Sequence, residues 1–244
     1  MPLRTERATI MFSGTTLLRQ RKYTLLLVVL LAMLVLQSFA ITSASERIWR
    51  DVMATVFGVA IFLVVFERSA LQLVMAVFLL IAFSVGWAFH AHVSSVFDRA
   101  LAVIQAVALA IFYWVVVWAI LRNLFRTPVI GADNVSGAIC GYIIAGQGWA
   151  YLNALAFLLA PATYLFDPKV LPPLAHWHGR TALFAYYSYS QMLTIGYAAV
   201  TPLKAPATTL SLVAALFGLF YTAVIVSQLV GMAQTMRKEA QSEK

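Results

Sequence analysis

Tyr187-Ser188-Tyr189-Ser190-Gln191-Met192-Leu193-Thr194-Ile195-Gly196-Tyr197-Ala198-Ala199-Val200-Thr201-Pro202 lies between two long apolar segments, and its reading decides how the chain is built. A helix-compatible run over residues 181–193 leads into it, with Thr181 a suitable N-cap. At a rise of 1.5 Å per residue that run makes about 20 Å of helix, too short for a hydrocarbon core near 30 Å. The chain then turns through Gly196 and stops at Pro202. A half-length helix followed by irregular backbone is tolerated at membrane depth only where protein buries it or it lines a wet cavity. The stretch therefore reads as a re-entrant loop.

Thr194-Ile195-Gly196-Tyr197 resembles the start of the potassium-channel selectivity filter, Thr-Val-Gly-Tyr-Gly followed by Asp. The wider frame, Tyr-Ser-Tyr-x4-Thr-Ile-Gly-Tyr-x-x-Val-Thr-Pro, is similar to a block of the bacterial two-helix ion-channel (pore domain) family. The resemblance spans roughly residues 133–236. It implies that main-chain carbonyls at Thr194, Ile195, Gly196, Tyr197 and Ala198 replace the water shell of a cation, with K+ bound only in transit at the first four. It implies an aromatic cuff of Tyr186, Tyr187 and Tyr189 around the filter, with Ser190 and Ala199 as further support. It also implies a gating hinge at Gly218, for which close helix packing is the rival role. Phe217, Phe220, Tyr221, Val224 and Gln228 would line the cavity and inner mouth. One chain supplies one wall, so the resemblance demands a homotetramer around a central pore.

Two positions depart from the family pattern. Ala198 stands where the second glycine belongs and Ala199 where aspartate belongs. A Cβ in left-handed backbone costs on the order of 1 kcal/mol per chain. Losing the aspartate removes a hydrogen-bonded brace and a ring of negative charge at the outer mouth. Three readings stay open: a potassium channel, a weakly selective cation channel, and a non-conducting channel-like regulatory subunit.

Outward from the loop, composition points to the bilayer. Of 244 residues, 62% are hydrophobic and 11% charged, which excludes an ordinary soluble domain. Apolar runs at 24–41, 52–66, 70–93, 100–121, within 135–165, and at 210–232 predict six transmembrane helices. The expected fold is an all-α integral membrane protein with a re-entrant pore helix (181–193) and filter loop (194–199). A basic terminus (1–22) precedes a four-helix bundle (23–126), a pore domain (127–236, inner helix 207–234) and a short tail (237–244). Asp98, Asp133 and Asn134 are candidate helix caps.

Basic residues set the orientation. With both termini cytoplasmic, the inner side holds Arg4, Arg7, Arg19, Arg21, Lys22, Arg68, Arg122, Arg126, Arg237, Lys238 and Lys244. The outer side holds only Arg47, Arg50, Arg99, Lys169, Arg180 and Lys204. The chain is expected in the cell (inner) membrane with its filter opening outward. The net charge of +8 reads as this topology and as contact with anionic membrane lipids, not as nucleic-acid binding.

Other candidates carry less. The fourth span has no arginine between Arg99 and Arg122, so the first four helices lack a voltage sensor of the usual kind. His90, His92, His176 and His178 fall on the outer side and read as interfacial residues beside Trp87 and Trp177. Cys140, the one cysteine, excludes an intrachain disulfide and reads as a buried thiol. No arrangement of acids, nucleophiles or ligands points to an enzyme, a cofactor or a small-molecule substrate.

Overall fold

The computed structural model describes residues 21–39, 44–65, 69–88, 95–126, 132–167, 177–196 and 199–242. They form seven α-helices: α1 (Lys22–Phe39), α2 (Ala44–Val65), α3 (Ser69–Ala88), α4 (Ser95–Arg126), α5 (Ala132–Leu159), α6 (Trp177–Met192) and α7 (Ala205–Ser242). A 3-10 turn (Pro161–Thr163) and two short strands, β1 (Tyr164–Phe166) and β2 (Val200–Pro202), complete them. The described chain is thus almost wholly helical, as an all-α membrane protein requires. Among the described residues, three stretches are long and apolar enough to cross a membrane: Arg99–Arg126, Asp133–Leu159 and Ala205–Gln228. Lys22–Val35, Thr55–Val65 and Gln72–Gly86 are shorter apolar helices.

Helix α5 is the hub, packing against α1, α4, α6 and α7. It can do so because it is notched with glycines, which apolar surroundings tolerate in a helix better than water does. Each notch receives an aromatic ring from a different helix. Tyr23 of α1 lies over Gly137 and Trp114 of α4 over Gly148, each where an added Cβ would meet it at 3.1 Å. Tyr221 of α7 fills the notch at Gly141, and the Tyr189 ring of α6 fills that at Gly146.

Polar contacts sort the helix ends. At one end, Asn123 donates to the Tyr23 hydroxyl at 3.1 Å, and Asp133 accepts from the Thr24 N–H at 2.8 Å and hydroxyl at 3.0 Å. Asp133 lies in the first turn of α5, yet its carboxylate caps the neighbouring helix α1. At the other end, Arg99 reaches the terminal carbonyls of α5, with Nε 3.0 Å from Leu158 O. A cation at the C-terminus of a helix meets both orphan carbonyls and the dipole.

Several boundaries differ from those expected. The fifth span stops at Leu159, and residues 164–166 form β1 instead of more helix. β1 and β2 pair antiparallel, Leu165 opposite Thr201. The sequence window there is apolar enough for either state, so hydropathy alone extends the helix past Pro161. α6 begins at Trp177, which places Thr181 inside the helix and not at its cap. Likewise α4 begins at Ser95 and encloses Asp98. α7 starts at Ala205, with Pro206 in the first turn where a missing N–H costs nothing. It runs on to Ser242, so most of the expected tail is helix.

Candidate functional site

Helix α6 enters from the end of the bundle marked by Arg99 and stops halfway down. Its last residue, Met192, lies against Gly218, thirteen residues or about 20 Å along α7 from Ala205. Within eight residues the chain is back in β2, paired with β1 beside the end of α5. Among the described residues, a half-length helix is thus followed by a return of the chain to the end from which that helix starts.

Residues 187–190 are each fastened. Tyr187 is fully buried and its hydroxyl is bonded to Ser211 Oγ of α7. Ser188, also fully buried, accepts from Asn153 Nδ2 at 3.2 Å. Tyr189 donates to the Ile143 carbonyl at 2.7 Å and accepts from Gln147 at 3.3 Å. Ser190 Oγ turns back to the Tyr187 carbonyl at 2.8 Å. Behind Ser188, Asn153 accepts from the Tyr164 hydroxyl at 2.6 Å, which joins α5, α6 and β1 through one buried amide. Burial, then the neighbouring Tyr187, pushes the Tyr164 phenol well above its ordinary pKa, so it stays protonated and able to donate.

The end of α6 has a specific backbone form. Thr194 N–H bonds Gln191 O and Ile195 N–H bonds Ser190 O, both at 2.9 Å, and Gly196 N–H also points to Ser190 O at 3.3 Å. This 5→2 and 6→1 pair is a Schellman closure with its left-handed residue at Thr194, φ 56°. Gly196 follows at φ 65°, while Ile195 between them has no positive φ. Three successive N–H groups are thus turned inward and satisfied. The carbonyls of Thr194, Ile195 and Gly196 accept no hydrogen bond among the described residues, and all three residues are exposed in the single chain.

A β-branched residue at positive φ is strained, and such strain concentrates at functional sites. Because alanine keeps the offending Cβ and glycine lacks it, Thr194→Gly is expected to be more stable than Thr194→Ala by about 1 kcal/mol. Unfolding of the two variants in SDS mixed micelles measures this, and equal midpoints would rule the strain out.

The remaining expected residues are placed as follows. Tyr186, Tyr187 and Tyr189 do not form one cuff: Tyr186 is 55% exposed, Tyr187 faces α7 and Tyr189 faces α5. The helical rotation of about 100° per residue sends them apart. Phe217 and Tyr221 both make contacts inside their own chain. Phe217 packs edge-on against Trp114 at 5.5 Å, and the Tyr221 hydroxyl donates to Ala138 O at 2.6 Å inside the chain. Phe220 and Val224, at the outer edge of the same helix side, are exposed, and Gln228 is half-buried. Gly218 abuts main chain: an added Cβ would stand 2.7 Å from the Met192 carbonyl carbon. Ala199 O accepts from Asp167 N–H at 3.0 Å. Tyr197, Ala198, His90, His92 and His176 lie outside the described residues, as does the His178 side chain. Cys140 is buried, as expected. Among the described residues no group of three His, Cys, Asp or Glu could hold a metal.

Sequence reasoning passed over Asn153, Tyr164, Ser188 and Ser211. The available signal was an amide in the middle of an apolar helix, which lipid surroundings make costly unless it is paired.

No protein-family model, no curated protein and no solved structure matches this chain.

Proposed function

We propose that this chain is the pore-forming subunit of a homotetrameric cation channel, most consistent with potassium passing down its electrochemical gradient. Each chain would contribute six spans, α1–α5 and α7, with α6 and the following loop re-entrant and both termini cytoplasmic. The observation that carries the reading is the polarity of residues 194–196: N–H groups consumed inward, and carbonyls without partners among the described residues, halfway along the bundle. Unpaired carbonyls there need water or a cation, and a ring of them from four chains replaces an ion's hydration. Such an assembly would also cover the exposed loop and, with lipid, Leu212, Leu216, Leu219 and Phe220 on α7.

The outer filter favours weaker selectivity than the family pattern. No side-chain brace is available from Ala199, and the main-chain bond from Asp167 together with the β1–β2 ribbon takes its place. A ribbon fixes the strand but adds no carboxylate at position 199.

The test is the reversal potential of purified protein in planar bilayers, with potassium on one side and sodium on the other. A shift toward the potassium equilibrium potential supports the reading. Restoring the family residues, Ala198→Gly with Ala199→Asp, is expected to raise the potassium-to-sodium permeability ratio by about tenfold, equivalent to some 1.4 kcal/mol. An unchanged ratio would count against a filter at this site. A stable tetramer that carries no current would leave the non-conducting subunit as the reading.

A further inference from the structure

The end of the bundle opposite the ribbon carries a basic corner that conduction does not use. The bond between Asn123 and the Tyr23 hydroxyl brings the last turn of α4 against the first turn of α1. That contact gathers Arg122 and Arg126 of α4 near Arg21 and Lys22 of the chain entering α1. Trp118, Arg122 and Arg126 recur every fourth residue and so form one stripe on α4. The Arg122 guanidinium lies 4.9 Å from the centroid of the Trp118 ring, which is 52% exposed. Arg126, one turn further, is exposed, and Phe125 beside it is 62% exposed. Lys22 stands 5.2 Å over the Tyr23 ring. The carboxylate described at this end, Asp133, is engaged by the N–H and hydroxyl of Thr24.

We propose that this corner binds the phosphate of an anionic membrane lipid, with Arg122 and Arg126 as its principal ligands and Arg21 and Lys22 adding charge. From Arg99 to Arg122 the helix rises about 35 Å, so the arginine pair emerges where headgroups lie when the span crosses a core near 30 Å. A planar guanidinium matches phosphate oxygens two at a time, and stacking on Trp118 holds Arg122 ready. Tryptophan prefers the headgroup boundary. The exposed Trp118 and Phe125 select a phosphate that carries acyl chains over a free anion, because each offers apolar surface alongside the charge. The proposal shares with the channel reading only the embedding of the chain in a bilayer, and it stands whether or not the protein conducts.

The experiment titrates the full-length protein in neutral detergent with brominated phosphatidylglycerol and, separately, brominated phosphatidylcholine, following tryptophan quenching. Wild type is expected to prefer phosphatidylglycerol by about 25-fold, roughly fivefold for each arginine. Arg122→Gln with Arg126→Gln is expected to bring the two lipids within about twofold, while the corresponding lysine pair keeps most of the preference. Arg126→Gln alone, at an exposed site, is expected to lose about fivefold and serves if the double variant does not fold. Lys204→Gln at the opposite end leaves the preference intact. Equal binding of both lipids by wild type would overturn the proposal, as would an undiminished preference in the glutamine pair. Full competition by millimolar inorganic phosphate would show a free-anion site in place of a lipid one. No current is measured, so a failed channel reading and a failed lipid site are told apart.

Discussion

Gly218→Ala is expected to destabilise the folded chain by about 3 kcal/mol, the upper range for overpacking, because the clash is with backbone. The stripe of α7 that packs inside the chain is Ala207, Ser211, Ala214, Gly218 and Tyr221, small residues at helical spacing with one aromatic at the end. Small residues let two backbones approach, which in lipid is a main source of helix association. At position 218 the neighbour is the last turn of α6, where an added methyl carbon would stand 2.7 Å from the Met192 carbonyl carbon and 2.8 Å from its Cα. A side chain could rotate away, whereas a helix end cannot. α6 must move as a unit, and it carries Thr194 and Gly196 with it.

Gly231→Ala provides the internal control, since nothing lies within 4 Å of a Cβ there. Replacing a helical glycine by alanine at such a site is expected to stabilise by about 0.5–1 kcal/mol. Unfolding of both variants in SDS mixed micelles makes the comparison. If Gly218 served only as a hinge, the two variants would unfold alike and differ in open probability alone. That outcome would remove the packing account.

Asn153→Leu is the second change with a large expected cost, about 3 kcal/mol, from two buried hydroxyls left without a partner at 1–2 kcal/mol each. Leucine shares the branching of asparagine and is not smaller, so no cavity forms. What is lost is the amide that accepts from Tyr164 at 2.6 Å and donates to Ser188 at 3.2 Å. These bonds tie α5 to β1 on one side and to α6 on the other. The loss is therefore expected to loosen the ribbon and the re-entrant helix together. Because Tyr164→Phe removes one of the orphaned hydroxyls, the double variant Asn153→Leu with Tyr164→Phe is expected to recover about 1 kcal/mol. Strict additivity of the two single changes would show that the bond contributes nothing to the fold.

The helical class, the membrane setting and the interrupted path at 181–202 were all legible in the residues. Each rests on a local property: runs of apolar side chains, the length of a helix-compatible segment, and glycine and proline where a helix must end. Local properties were less good at boundaries. Leu165 and Phe166 are as apolar as the helix before them, yet they pair with Thr201 and Val200. Thr181 and Asp98 have capping chemistry, but the chain is already helical when it reaches them. Asp133 also has that chemistry and uses it on α1, a hundred and nine residues away from Thr24 in sequence.

The candidate site divides the same way. Thr194 and Gly196 stood out as residues, and the left-handed φ of Gly196 agrees with the need for glycine there. That Thr194 shares this conformation follows from the Schellman closure, whose hydrogen bonds reach back into α6.

Which face of each helix meets which neighbour was decided in three dimensions. Aromatic residues at Phe217 and Tyr221 look alike as pore lining or as core, since hydropathy assigns them one value in either place. The glycine notch at Gly141 receives Tyr221 and the ring of Trp114 meets Phe217, because a ring goes where backbone has made room. Apolar content specifies that a helix is buried in something. Only complementary shape between segments distant in the chain specifies what, and shape of that kind is absent from a linear order of residues until the helices have packed.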